Sequence, residues 1–428
     1  MTVRSAIVII IVLIVLLVYK CPLRKGGMTM KRFLAAVLSG ALVLSIWGCS
    51  NAQTPETTTE GAPDYTASQA EIDKLESLYE GRIALHGEFH NHADTGGTSD
   101  GKVDLRTWKD TMQYILDMDF AVIVDHKQVL HMRLEDWDNT RFVGGSELGT
   151  QVGFLSDQCT QNALHYNMIF SQPEQMEAVL YEFPDKFQYQ NDHFKYPQFK
   201  KEEFMEIVKS IQKNGGFFSN VHPLYDSYVV STNPEDYWYG DGMGFEVLCA
   251  YSGNMSLIHN MEARYYWEKM LNMGKRVFVT AGSDSHRLPK TESLSTFYCF
   301  EQNADEIVAT ARKGNFTAGP VGIRMNIGDT MMGGLGDFTN PRLVIAVSDF
   351  HSQEYHANHT YRVDVYSDSG LVASKELDNP TDVSYFAMDI DANALYYRAE
   401  VYDVTEDYIF ALGNPIWNAA LYTGDYLE

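Results

Sequence analysis

Between residues 82 and 320, short apolar runs alternate with longer segments of helical spacing, and this alternation constrains the fold more than any other feature. RIALHGE (82–88), FAVIV (120–124), FVGG (142–145), GGFFSNV (215–221), GFEVL (244–248) and RVFVTA (276–281) predict strands. Residues 104–118, 199–213, 259–273 and 303–313 predict helices; in the first, Leu105, Trp108, Met112, Ile115 and Leu116 share one face. Strands that are apolar throughout and separated by helices predict βα units around a buried parallel sheet. Near residue 320 the period changes. RLVIAVSD, YRVDVYSD, GLVASKEL, SYFAMDI and YYRAEVYDV alternate apolar and polar residues between turn formers, which predicts an antiparallel β-sandwich over 321–428.

Charge narrows the function. The chain carries 33 basic against 57 acidic residues, a formal net charge of −24. Arg4, Lys20, Arg24, Lys25, Lys31 and Arg32 fall in the first 48 residues, which contain no acid, so the rest is more acidic still. Such a surface repels phosphate backbones and argues against nucleic-acid binding. The five cysteines form no CxxC pair, which excludes a zinc ribbon or a dithiol redox motif. Cys159, Cys249 and Cys299 read as buried small hydrophobes.

Two apolar runs open the chain, Ala6 to Tyr19 and Phe33 to Trp47, both short of the ~20 residues of a spanning helix. Lys31-Arg32, the second run and Gly48-Cys49 resemble a bacterial lipoprotein signal. That resemblance implies a lipid on Cys49, a membrane-anchored protein and an extracytoplasmic location in the cell envelope. Met28 and Met30 stand just before this signal, so residues 1–27 are either an over-extended start or half of a helical hairpin. Residues 50–68, rich in Thr, Pro and Ala, predict a flexible tether before a domain spanning 69–320.

The histidines are ordered rather than scattered. Ten of the 13 lie between residues 86 and 286, mostly where a strand ends. Glu88-Phe89-His90-Asn91-His92 is followed by Asp100, Asp125-His126, Glu147, His165, His222-Pro223 and Asp284-Ser285-His286. Residues two apart on a strand share a face, so His90/His92 and Asp284/His286 can each grip one ion. His with Asp or Glu suits zinc, manganese or iron. Nine N/O ligands exceed one tetrahedral zinc and suffice for two or three divalent ions.

This series of motifs resembles the PHP (polymerase and histidinol phosphatase) superfamily of metal-dependent phosphoesterases over residues 82–320. The resemblance implies a distorted seven-stranded β/α (TIM-like) barrel with a trinuclear site. His90, His92, Glu147 and Asp284 would hold one ion. Glu147 would bridge to a second ion on His165 and His222; Asp100, His126 and His286 would hold the third. Glu88 stands where the family usually has Asp. GNPIWNA (413–419) is similar to the ending of CehA/McbA-like PHP hydrolases.

The implied chemistry is hydrolysis of a small molecule. Bound ions yield hydroxide near neutral pH, and a hydroxide bridging two ions would attack phosphorus or a carbonyl carbon. Glu147, Asp284 and His286 would act through it. Lys127 and Arg287 are either cations for a phosphate substrate or solvated charges. The expected function is a lipid-anchored phosphoesterase. Ester, carbamate or amide hydrolysis is the alternative, and a non-catalytic ligand-binding lipoprotein is a third. Plainer readings stand beside single residues. His165 fits a core histidine, Asp100 a turn cap, His86 packing, and Asp125 an orienting partner for His126. His131, His193, His259, His351, His356 and His359 read as surface.

Overall fold

The computed structural model describes residues 64–424, apart from 129, 153–163, 188, 191–192, 195–197, 225–230, 250–256, 289–292, 340, 353–356 and 378–381. The opening apolar runs, Cys49, the tether as far as residue 63, Cys159 and His356 therefore lie outside the described residues. Among the described residues no helix is long and apolar enough to cross a membrane.

Tyr65, near the end of the segment read as a tether, stacks on Phe386 at 4.6 Å between ring centres. Ser68 then caps helix α1 (Gln69–Tyr79), exchanging hydrogen bonds with Glu71 in a capping box. Strand β1 (Ile83–Asn91) follows. Asp104 caps α2 (Leu105–Thr111), which buries Leu105 and Trp108. A single π turn over Met112–Leu116 ends it at Asp117, whose φ is +49°. The wider turn corrects the expected apolar face: Met112 stays buried, but Ile115 rotates outward and is 74% exposed.

Next come β2 (Phe120–Ile123), β3 (Phe142–Val152), β4 (Leu164–Phe170), α3 (Pro173–Glu182), α4 (Lys201–Lys213), β5 (Phe217–Asn220), β6 (Met243–Cys249), α5 (Leu257–Asn272) and β7 (Val277–Gly282). β1, β2 and β3 pair in parallel, as do β5, β6 and β7. The expectation of a parallel sheet fails at β4. β4 runs antiparallel to both neighbours, with Glu147 opposite Asn167 and Asn167 opposite Ser219. The outer strands also approach each other: Asn91 bridges Ser285 in parallel, and His92 N–H donates to Ser285 O at 2.9 Å.

The chain continues through β8 (Leu294–Cys299), α6 (Ala304–Lys313), β9 (Phe316–Ala318), β10 (Gly322–Ile327), β11 (Thr330–Met331), β12 (Arg342–Ser348), β13 (Tyr361–Ser367), β14 (Gly370–Glu376), β15 (Ser384–Asp389), β16 (Tyr396–Asp403) and β17 (Tyr408–Gly413). One large sheet runs β7-β6-β5-β4-β3-β2-β1-β8-β9-β17-β16-β13-β14, so the tail continues the sheet of the first half. A second sheet runs β11-β10-β12-β15. Ile323, Ile345 and Phe386 from it share a buried core with Val363, Val401 and Phe410 from the large sheet.

Three bodies of core position the site. Leu148, Met168, Phe218, Phe245 and Val279 pack with Phe204, Ile207 and Trp267 of the covering helices. Leu85, Phe120, Val143, Ile169, Phe217 and Phe278 form another, closed by Ile307 and Val308 of α6. Trp108 and Met112 of α2 pack on Ala121, Ile123 and Phe142. Each fully buried side chain of this kind contributes about 1.5–3 kcal/mol. Helices and core thus fix the strands on which the polar cluster is carried.

Candidate metal centre

Almost every cluster residue stands at the far end of an apolar strand. His90 is in β1, His92 just beyond it; His126 follows β2, Glu147 lies in β3, His222 follows β5, and Asp284 and His286 follow β7. His165 is the second residue of β4, and the reversed direction of that strand brings its beginning to the same end of the sheet. Three turns at this end hold non-glycine residues at positive φ: Lys127 at +56°, His222 at +31° and Asp284 at +48°. Such backbone persists only where its surroundings enforce it. Asp284 and His286 lie beyond the strand, so the pleat expected to align them on one ion does not act, and they join different groups.

The nine candidate ligands come together as three overlapping groups, with the ligand atoms of each group within 4.8 Å of one another. His90, His92, Glu147 and Asp284 form the most buried group. His92 Nε2 is 3.0 Å from Glu147 Oε2 and 3.1 Å from Asp284 Oδ1. Glu147, His165 and His222 form the second: Glu147 Oε1 is 2.6 Å from His165 Nδ1 and 3.2 Å from His222 Nε2. His92, Asp100, His126 and His286 form the third, with Asp100 Oδ1 3.0 Å from His286 Nε2. Glu147 thus turns one oxygen to each of the first two groups. Burial falls across the cluster. The His90 side chain is fully buried, whereas His286 is 29% and Asp100 50% exposed, so the third group forms the mouth.

Electrostatics fits these residues to cations. Burial disfavours charge on His92, yet Asp284 and Glu147 overcome it and push the imidazole up to about 10. His90 is likewise raised by Glu246, Asp284 and Glu147 against its burial. Burial also opposes the charge on Glu147 and Asp284, but the histidines hold Glu147 well below the usual carboxylate range and Asp284 at about 2. Among the described residues, protonated imidazoles neutralise the carboxylates. Divalent cations on neutral imidazoles would supply the same positive charge. Among the described residues His90 Nε2 and Glu147 Oε2 are buried without an aligned hydrogen bond, and both face the first group. Polar atoms so placed demand a partner, and the donor set suits a metal ion.

Neighbouring predicted residues separate by role. Asp125 accepts from Ala93 N–H at 2.9 Å and from the Thr95 hydroxyl, tying the loop after β1 to that after β2. The turn beside Asp100 is held by Ser99, whose hydroxyl accepts from Gly101 N–H, which leaves the Asp100 carboxylate to the cluster. Burial pushes Glu88 up to about 8, and its carboxylate accepts from the His90 backbone at 3.2 Å. Lys127 is half-buried next to His126, and burial lowers its ammonium. Arg287 is exposed beyond His286. His86 packs against His351 at 5.4 Å, away from the cluster.

Two histidines expected at the surface are buried. A 3₁₀ turn over Leu130–Arg133 folds His131 inward against Trp137, leaving it 1% exposed. His351 is 4% exposed because its Nε2 lies 2.9 Å from Leu116 O, where it closes the end of the π turn. Cys249 and Cys299 are buried, as expected. Sequence reasoning passed over Glu246, whose Oε1 is 3.3 Å from His90 Nδ1 and whose Oε2 accepts from His222 N–H at 2.7 Å. The signal was there: a single acid inside the apolar run GFEVL must have buried partners.

No protein-family model matches the chain, and no curated protein matches it. Solved structures similar to it include a two-domain protein from Bacteroides vulgatus ATCC 8482 described as containing a predicted PHP-like metal-dependent phosphoesterase. Identity is 12%, over 83% of this chain and 97% of that one, with a TM-score of 0.34. The lesion-specific endonuclease PfuEndoQ from Pyrococcus furiosus is 12% identical, over 54% of this chain and 56% of that one, with a TM-score of 0.35. An amidohydrolase from Chromobacterium violaceum, with bound sulfate and no metal, is 13% identical over 47% of this chain and 87% of that one, with a TM-score of 0.32.

Proposed function

We propose that the chain is a metal-dependent hydrolase of the PHP type, acting as a phosphoesterase on a small molecule. One observation carries the reading: Glu147 is shared between two of three overlapping His/Asp/Glu groups, with buried ligand atoms that make no aligned hydrogen bond facing the first. His90, His92, Glu147 and Asp284 would hold one ion, Glu147, His165 and His222 a second, and Asp100, His126 and His286 a third. When bound, such ions supply Lewis-acid activation of water and neutralise charge on the group being split. The chain supplies the rest. Glu147 sets the spacing between the first two groups. Asp100 and His286 mark the mouth through which substrate enters. Lys127 and Arg287 are the cations beside that mouth for a phosphate oxygen. The Asn91–Ser285 bridge supports a closed seven-stranded ring of β1 to β7, and the shared core of the two sheets supports a β-sandwich tail of the CehA/McbA type. The order of basic, apolar and cysteine residues at 31–49 supports lipid anchoring at Cys49 outside the cytoplasm.

The test is elemental analysis of protein purified without chelator, followed by a panel of phosphomonoesters, phosphodiesters and aryl esters. Two or three zinc, manganese or iron ions per chain with phosphoester turnover is the expected result. Turnover confined to carboxyl esters or amides would replace the phosphoesterase reading. One ion or fewer after metal supplementation would refute the multinuclear centre. For the anchor, Cys49→Ala should release the protein from membranes; a native mass still including residues 28–48 refutes it.

A further inference from the structure

Resting on the metal-centre reading above, we infer that Glu246 is a positioning residue that decides which nitrogen of His90 faces the ions. All seven residues of β6 are buried, and Glu246, 2% exposed, is the sole charged side chain among them. A carboxylate there is tolerated only with strong partners, and both of its partners are candidate ligands.

The first partner is the His90 ring. Glu246 Oε1 lies 3.3 Å from Nδ1, while Nε2 at the other end lies 3.5 Å from both Glu147 Oε2 and Asp284 Oδ1. An ionised carboxylate only accepts, so this contact requires the hydrogen on Nδ1. A neutral ring then turns its Nε2 lone pair toward the first group, the form that binds a metal. Glu88 does not do this, because it reaches the His90 backbone rather than the ring.

The second partner is the backbone of His222, whose N–H donates to Glu246 Oε2 at 2.7 Å. His222 has a φ of +31°, and its Nε2 lies 3.2 Å from Glu147 Oε1. The same carboxylate therefore steadies a strained turn that aims a ligand of the second group. The sequence leaves room for this at Gly282. A Cβ there would meet Glu246 Oε1 at 2.2 Å and His90 Cβ at 2.5 Å, so any side chain would drive the two apart. Three strands thus converge on one buried acid that serves two groups without belonging to either.

Glu246→Gln separates this role from mere filling of space. The amide oxygen can still accept from His222 N–H, but its NH₂ then faces His90 Nδ1 and requires that nitrogen to accept. The hydrogen moves to Nε2, which can no longer offer a lone pair. The readouts are the Zn²⁺ affinity by chelator competition and the His90 tautomer by long-range ¹⁵N–¹H correlation on full-length, ¹⁵N-histidine-labelled, Zn²⁺-loaded protein. The wild type should show a protonated Nδ1. The variant should bind the first ion about 10- to 100-fold more weakly, the range for partners that orient a metal ligand, with the hydrogen on Nε2 and that nitrogen therefore off the Zn²⁺. Glu246→Asp, too short to reach both partners, covers the case in which the Gln variant does not fold and should also lose at least 10-fold. A wild type that binds no Zn²⁺ overturns the metal-centre reading and this inference together. A wild type that binds Zn²⁺, with folded variants unchanged in affinity and tautomer, overturns this inference alone.

Discussion

Glu147 and His165 meet diagonally across the antiparallel β3–β4 pair, with Oε1 2.6 Å from Nδ1, although Gly149 and not Glu147 is the register partner of His165. The diagonal leaves the other oxygen of Glu147 free to face His92. Glu147→Gln keeps the shape and removes the charge from two groups at once. It should lower turnover at least ~10²-fold and release metal from both groups, given that even changes behind the ligands cost 10- to 100-fold. His286→Ala at the exposed mouth should weaken the third group alone. Metal content and turnover of the two variants, on one substrate with one added metal, make the comparison. Full metal content in Glu147→Gln would contradict the bridging role.

Removing metal should also cost stability. Ions that bind the folded cluster and not the unfolded chain stabilise it by about 2.7 kcal/mol per site at a hundredfold excess over Kd. Chelation should lower the urea midpoint, and adding Zn²⁺ or Mn²⁺ back should restore it. A midpoint indifferent to chelator would show that no ion occupies the cluster.

His86 provides a pH signature outside the centre. Burial first, and the neighbouring His351 second, push its imidazole down to about 4 from an ordinary 6.5. The unfolded chain therefore binds a proton that the folded chain refuses. The stability contribution is full above pH 6.5 and is lost as pH falls toward 4. Between pH 6.5 and 5 the loss is at most about 2 kcal/mol. His86→Gln should flatten the urea-unfolding profile in that window by this amount; parallel profiles for wild type and variant would contradict the assignment.

Asn414 makes a stability prediction. Its Oδ1 accepts from Val279 N–H at 2.7 Å, and its Nδ2 donates to Phe316 O at 3.0 Å. This is what the Asn-Pro-Ile segment does: it satisfies the outer edge of β7 and joins it to β9. Asn414→Ala leaves two buried backbone groups unpaired and should cost about 2–4 kcal/mol. The urea midpoint should fall with the slope unchanged.

Most of the site was legible because His90, His126, Glu147, His222 and Asp284 each lie in or just after an apolar run, and burial marks such runs in a sequence. His165 looked solitary because its strand runs backwards, so it precedes the apolar segment instead of following it. Strand direction is set by tertiary pairing, which residue pattern does not encode. Glu246 hid inside an apolar run because its partners come from other strands. Ile115 defeated the helical period because one π turn shifts everything after it. His131 and His351 are buried by short turns, which carry no period to mark an inward face.

Thr317 of β9 is paired on one side with Thr296 of β8 and on the other with Gly413 of β17. The change of sequence pattern near residue 320 therefore marks no seam along which the molecule can be parted. A chain stopped there would bare the outer edge of β9, an open template for joining other chains. A tail borrowed from another protein would have to match that edge residue for residue. The half that carries the polar cluster and the β tail share one ladder of hydrogen bonds, and must be folded and lost together.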